Sequence, residues 1–214
     1  CYTLELRMRY EDILNKNDVT QLHFQNSKAQ TLTSLRLIAN STKDTITLKQ
    51  YNTDGSGADN VAGVSIAVGE WVTLRIEYYH TGEADTEMMK VYLGNGNETP
   101  VLVSEFSSYR PAALEDTLGL AYVKIAHQRT NGSTLYMDNV SLSQTDKAFV
   151  DEIEDGVPDA PTTPGENKPN LTDTVADFEN GFPFINIVSA AVTGDGILQI
   201  SDTKYAEFYD NNNG

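Results

Sequence analysis

The pattern with the most chemical potential in this 214-residue chain is Glu83-Ala-Asp85-Thr-Glu87. Carboxylates at alternate positions of an extended strand share one face. Two such groups roughly 5–5.5 Å apart are the nucleophile and proton donor of a retaining glycosidase. The flanks argue for something plainer. Tyr79-His80-Thr81-Gly82 precedes the motif and reads as a solvated hairpin turn. Glu83, Asp85 and Glu87 are therefore expected to be surface charge, and no catalytic residue is assigned. His23, His80 and His127 are scattered, without the i,i+4 spacing of a helical zinc pair. His23 is expected on the polar face of its strand and His80 at a hairpin. With Cys1 as the single cysteine, neither an internal disulfide nor a thiol metal cluster can form.

Sugar recognition needs aromatic platforms beside planar polar groups. Arg36, Tyr79, Tyr92 and Tyr109 supply those types on or beside strands, and they are the candidate carbohydrate-binding residues. A solvated sheet face has the same composition. Trp71, at the start of a strand, is expected to pack in the core.

Net charge is −16, unevenly spread. Residues 1–144 hold 12 basic and 17 acidic groups, whereas residues 145–214 hold 3 and 14. Without a basic stripe, nucleic acid is not an expected partner. No apolar run approaches the ~20 residues of a membrane helix.

The elements that must position these groups are strands. In TLELRMRY, Leu4, Leu6, Met8 and Tyr10 alternate with Glu5, Arg7 and Arg9. The same period of two puts Leu22 and Phe24, Leu35, Leu37 and Ala39, Ile46 and Leu48, Leu74, Ile76 and Tyr78, and Met89, Val91 and Leu93 on inward faces. Turn signals stand at 15–18, 54–60, 80–85, 94–97 and 130–133. About ten short strands at this spacing predict an all-β jelly-roll sandwich of two antiparallel sheets. Residues 1–144 form its main part.

Residues 145–174 change character, with four of the seven prolines and many acids, and read as an extended linker. Residues 175–214 offer about four more strands, too few to bury a core alone. They are expected to complete a sandwich, either their own or that of a neighbouring copy.

The run SIAVGEWVTLRIEYY, then MKVYLGNG, then LYMDNVSLS resembles the concanavalin A-like lectin/glucanase superfamily, and within it the laminin G-like jelly-roll modules of bacterial surface proteins. Trp71, Val91–Gly94 and Asp138–Val140 carry the likeness. The opening "FENG" of such modules matches Phe178–Gly181, which here follows the linker, so the order is permuted relative to the family. The resemblance implies a secreted or cell-surface location, bacterial by the family's habit. A terminal Cys1 is also how an acylated lipoprotein starts, although strand-like sequence begins already at Tyr2. It further implies a structural Ca²⁺ held by Asp138, Asp177 and Glu179, joining the tail to the body. The expected function is a non-catalytic structural or adhesive module that joins copies head to tail through residues 175–214. A carbohydrate-binding module with a glycan partner is the alternative. A glucanase-like glycoside hydrolase, whose superfamily members carry Glu-x-Asp-x-Glu, is a distant one.

Overall fold

The computed structural model describes residues 1–13, 18–51, 58–83, 86–108, 119–127, 133–151, 174–176, 185–188, 191–192, 197–201 and 205–209. Among them the regular elements are strands alone. The body contributes β1 (Tyr2–Glu11), β2 (Asp18–Gln25), β3 (Thr31–Ala39), β4 (Thr45–Tyr51), β5 (Ala58–Ala67), β6 (Val72–Tyr79), β7 (Met88–Asn95), β8 (Val101–Ser107), β9 (Tyr122–His127) and β10 (Thr134–Gln144). The tail adds β11 (Thr174–Ala176), β12 (Ile185–Val188), β13 (Ala191–Val192), β14 (Leu198–Ser201) and β15 (Tyr205–Tyr209).

These strands form two antiparallel sheets, each with five body strands. The first runs β13-β14-β10-β1-β6-β7-β8, with β11 also on β10; the second runs β12-β15-β9-β2-β3-β4-β5. The chain passes repeatedly from one sheet to the other, and the result is the all-β sandwich that the alternation predicts. Leu4, Leu6, Met8 and Tyr10 of β1 are fully buried, as are Leu22 and Phe24, Leu35 and Leu37, Ile46 and Leu48, and Leu74, Ile76 and Tyr78. They form one continuous apolar layer between the sheets. Burying each such side chain contributes roughly 1.5–3 kcal/mol.

The two rims of the sandwich differ. At one, β5 touches β8. Gly63 makes that approach possible: its φ is +73°, and a Cβ there would lie 2.5 Å from the Val103 carbonyl oxygen. The turn expected at 54–60 overlaps β5, which begins at Ala58. The strand breaks the period of two because Ser65 faces Thr47 while Asn60 faces Lys49, a bulge opposite Leu48.

At the other rim lie β9 and β10, and the tail strands pair there. β15 pairs along β9 from Tyr205 opposite Ala126 to Tyr209 opposite Tyr122. Along β10, Thr134–Met137 pair with β14, and Val140–Leu142 pair with β11. Between those stretches Asn139 adopts a φ of +49°. The β1–β10 register also slips there, Arg7 facing Asp138 and Glu5 facing Ser141. β12 and β13, close in sequence, belong to different sheets. Leu198 of β14 is fully buried in the body's core.

Candidate functional site

Alternation on β1, β6, β7 and β10 sends a second set of side chains to the outer face of the first sheet. They form a connected ladder. The Arg7 and Arg9 guanidinium carbons lie 4.7 and 5.2 Å from the Trp71 ring centre, and Arg9 also lies 4.9 Å from that of Tyr136. Arg7 reaches Asp138 at 3.5 Å and Arg9 reaches Glu11 at 2.8 Å. Further along, Arg75 donates to Glu5 at 2.6 Å and lies 5.7 Å from the Tyr92 ring centre. Trp71 is thus not a core residue: it is half-buried on this outer face. The alternation that points Leu74 and Ile76 inward also points Trp71 outward, which is the signal that could have placed it.

Next on the same face is a polar cluster under a strap. After β10 the chain continues the ladder once, Thr145 and Cys1 exchanging backbone hydrogen bonds of 2.8 and 2.9 Å. It then crosses β1 to reach β6 and β7. Lys147 Nζ lies 3.2 and 3.0 Å from the two Glu77 carboxylate oxygens. The Phe149 ring meets the Tyr79 ring edge-on at 5.2 Å, and Lys90 Nζ lies 5.2 Å from the Phe149 ring centre. Tyr79 and Tyr92 both donate hydroxyl hydrogen bonds to Glu77. Burial works to raise the Glu77 pKa, but the hydrogen bonds from Tyr79 and Lys147, the Lys147 charge and the Tyr92 hydroxyl outweigh it, so the carboxyl sits below its ordinary range. Lys90, on the wet face by alternation, is 0% exposed, and Glu105 lies 3.9 Å from it. The sequence of residues 145–150 reads as plain linker and gives no sign of this cover.

The proposed sugar residues do not converge. Tyr79 and Tyr92 come together at Glu77, whereas Arg36 lies on the other sheet, its guanidinium carbon 3.6 Å from the Tyr51 ring centre. Tyr109 lies outside the described residues. On that second face His23 bonds Gln21 at 3.0 Å. Burial, with Lys124 and Arg36 nearby, lowers its pKa to about 4. Of the proposed calcium ligands, Asp138 receives Arg7 and the backbone N–H of Asn139, at 2.9 Å. Asp177 and Glu179 lie outside the described residues. Among the described residues no group of three His, Cys, Asp or Glu side chains could hold a metal ion.

Among the described residues, buried polar groups also meet away from this face. Glu87 corrects the expectation of surface charge: it is 0% exposed, accepts the Tyr78 hydroxyl, and lies 2.7 Å from His80 Nδ1. Glu83 is exposed, so the two carboxylates do not share a surface, and Asp85 lies outside the described residues. A carboxylate this buried must be hydrogen-bonded, and a Tyr and a His provide that. The second network is Tyr10–Thr20–His127–Ser133. His127 Nε2 lies 3.0 Å from the Ser133 carbonyl oxygen, which can only accept, so Nε2 carries the proton. His127 Nδ1 then accepts from Thr20 at 3.1 Å, and Thr20 accepts from Tyr10 at 2.7 Å. In this tautomer His127 cannot take a proton from the Ser133 hydroxyl at 3.3 Å, so the pair is structural rather than a nucleophile and base. Burial drives the Tyr10 pKa upward, which keeps its hydroxyl a donor.

No family model, curated protein or solved structure matches the chain.

Proposed function

We propose that this chain is a non-catalytic extracellular structural or adhesive sandwich module, working at a bacterial cell surface, whose tail strands join copies by exchange. The observation that carries the reading is the placement of β11, β14 and β15. They cover the edges of both sheets at a single rim, and Leu198 enters the core there. Between Asp151 and Thr174 runs a Pro-rich stretch long enough to span roughly 70 Å at full extension. A unit that is edge-paired and tethered this way makes identical pairings with its own body or with another copy's body, which is the condition for domain swapping.

Lys124 and Glu207 stand opposite each other across β9 and β15. Two single-cysteine variants, Lys124→Cys and Glu207→Cys on a Cys1→Ser background, are to be refolded together and oxidised. Strand exchange gives a disulfide-linked dimer between the two species. Linkage only in a chain that carries both cysteines sinks the reading.

Calcium is the accompanying proposal. Ala176, immediately before Asp177, pairs with Val140 beside the Asp138 bulge. A Ca²⁺ there would take oxygen ligands from Asp138, Asp177 and Glu179, in competition with Arg7. Chelator should lower Tm, because an ion bound only to the folded state stabilises it. An unchanged melting curve removes the ion from the account.

A second reading, a carbohydrate-binding module, is favoured by the half-buried Trp71 on the outer face among Arg7, Arg9 and Tyr136. A glycan array tests it, with Trp71→Ala as control. Silence across plant, mucin and bacterial polysaccharides counts against it. The glucanase alternative requires hydrolysis that Glu87→Gln abolishes.

A further inference from the structure

The two outer faces of the sandwich carry their charge differently. On the first sheet Arg7, Arg9, Arg75, Lys90 and Lys147 each lie within 3.9 Å of a carboxylate oxygen. On the second sheet Arg36 of β3 and Lys49 of β4 are direct cross-strand partners. Both are half-buried, and both point outward because Leu35, Leu37, Ile46 and Leu48 point inward. Like charges set opposite each other destabilise a sheet. The chain has 31 acidic residues against 15 basic ones, so a shortage of carboxylates does not explain the pairing.

The positions around the pair on this face are uncharged. Across the strands, Gln21 stands opposite Arg36 and Asn60 opposite Lys49. Along the strands, Ser34 and Ile38 flank Arg36, and Thr47 and Tyr51 flank Lys49. The Arg36 guanidinium carbon sits 3.6 Å over the Tyr51 ring centre. Such stacking uses the flat side of a guanidinium and not its N–H edge. Lys124 of β9, opposite His23 of β2, extends the cationic track, and the acid opposite it, Glu207, belongs to β15 of the tail. Burial, with the charges of Lys124 and Arg36, holds the His23 pKa at about 4.

We infer that the outer face of the second sheet, centred on the Arg36–Lys49 pair, is a binding site for an acidic polysaccharide carrying carboxylate or sulfate groups. An anion between the two cations removes their repulsion, and a guanidinium edge suits either group. The amides and hydroxyls of Gln21, Asn60, Ser34 and Thr47 match sugar hydroxyls. An acidic peptide added as a strand would need a free edge, whereas β3 and β4 are each paired on both sides. The site rests on the carbohydrate-binding reading for its class of ligand, not on strand exchange, and it lies on the face opposite Trp71.

The test measures binding of the full chain to immobilised polygalacturonate and dextran sulfate, with neutral dextran and poly-glutamate as controls. Binding to at least one acidic polysaccharide is expected, weakening with salt. Lys49→Glu should lower that affinity by about tenfold or more. The same variant should raise the denaturant midpoint, because it turns a like-charge pair into an opposite-charge one, so lost binding is not lost folding. Trp71→Ala should bind as before. At saturation the His23 pKa, followed by NMR, should rise by about one unit as the anion offsets Lys124 and Arg36. No binding to either acidic polysaccharide, equal binding to poly-glutamate, or an unmoved His23 pKa overturns the site. Binding that Trp71→Ala abolishes and Lys49→Glu leaves intact also overturns it, and leaves the Trp71 face standing as the carbohydrate site.

Discussion

The two rims of this sandwich solve one problem in opposite ways. At the β5–β8 rim the sheets close on each other through a backbone approach that only Gly63 permits. At the β9–β10 rim the sheets stay apart in edge terms, and strands from much later in the chain cover them. Closure by a bulge is local and uses neighbouring sequence. Closure by added strands is remote and leaves the choice of donor open. An uncovered sheet edge is an invitation to pairing, so a rim covered by a tethered unit is where association between copies is cheapest to arrange.

The largest effect that can test this contrast lies at the closed rim. Gly63→Val places a β-branched residue at a φ of +73° with its Cβ 2.5 Å from a backbone oxygen. The expected loss is about 3 kcal/mol or more, read from the denaturant midpoint. A loss of only a few tenths would mean that the rim is loose and the contrast false.

At the covered rim, Leu198→Ala removes a fully buried side chain that the tail places in the body's core. It should cost about 3 kcal/mol. The unfolding curve should stay a single transition, since tail and body share one core. A new early transition with the main one unmoved would show the tail to be a separate unit.

Acid provides an intermediate probe. His23 is buried opposite Lys124 of β9, with Arg36 of β3 nearby, and its pKa in the folded protein is about 4 against an ordinary 6.5. The folded chain keeps it neutral while the unfolded chain protonates it. It therefore costs nothing above pH 6.5, and stability falls as pH drops from about 6.5 to about 4. His23→Gln should flatten the stability curve across that window, and an identical slope in the variant would remove the assignment. Glu77 has the opposite sign. Its pKa is depressed, so its contribution is present above the ordinary carboxylate value and is lost as pH falls through its own. Glu77→Gln is the smallest expected change, about 1 kcal/mol at neutral pH and vanishing in acid.

Much of the body was legible because its strands keep a strict period of two. The faces of β1, β4 and β6 can be read from Leu4 to Tyr10, from Ile46 to Leu48 and from Leu74 to Tyr78 without a structure. β5 was not legible, since the bulge around Gly63 breaks the period and its first residues look like a turn. Trp71 is legible by counting outward from Leu74, although its place at a strand start and its bulk suggest the core. The strap was invisible. Asp146, Lys147 and Asp151 have the composition of a solvated linker, and only the acid and rings of another strand give Lys147 and Phe149 something to hold. Glu87 was hidden for the same reason: a carboxylate among turn residues looks exposed until Tyr78 and His80 are found beside it.

The kink at Asn139 has one more consequence. It divides the free side of β10 into a stretch of four positions and one of three, each with its own guest strand. A straight, unbroken border would accept almost any extended polypeptide of sufficient length. An interrupted one accepts only a visitor whose own pairing residues are broken at a matching place. A border interrupted in this way presents no long run of backbone in a single register to an unmatched strand.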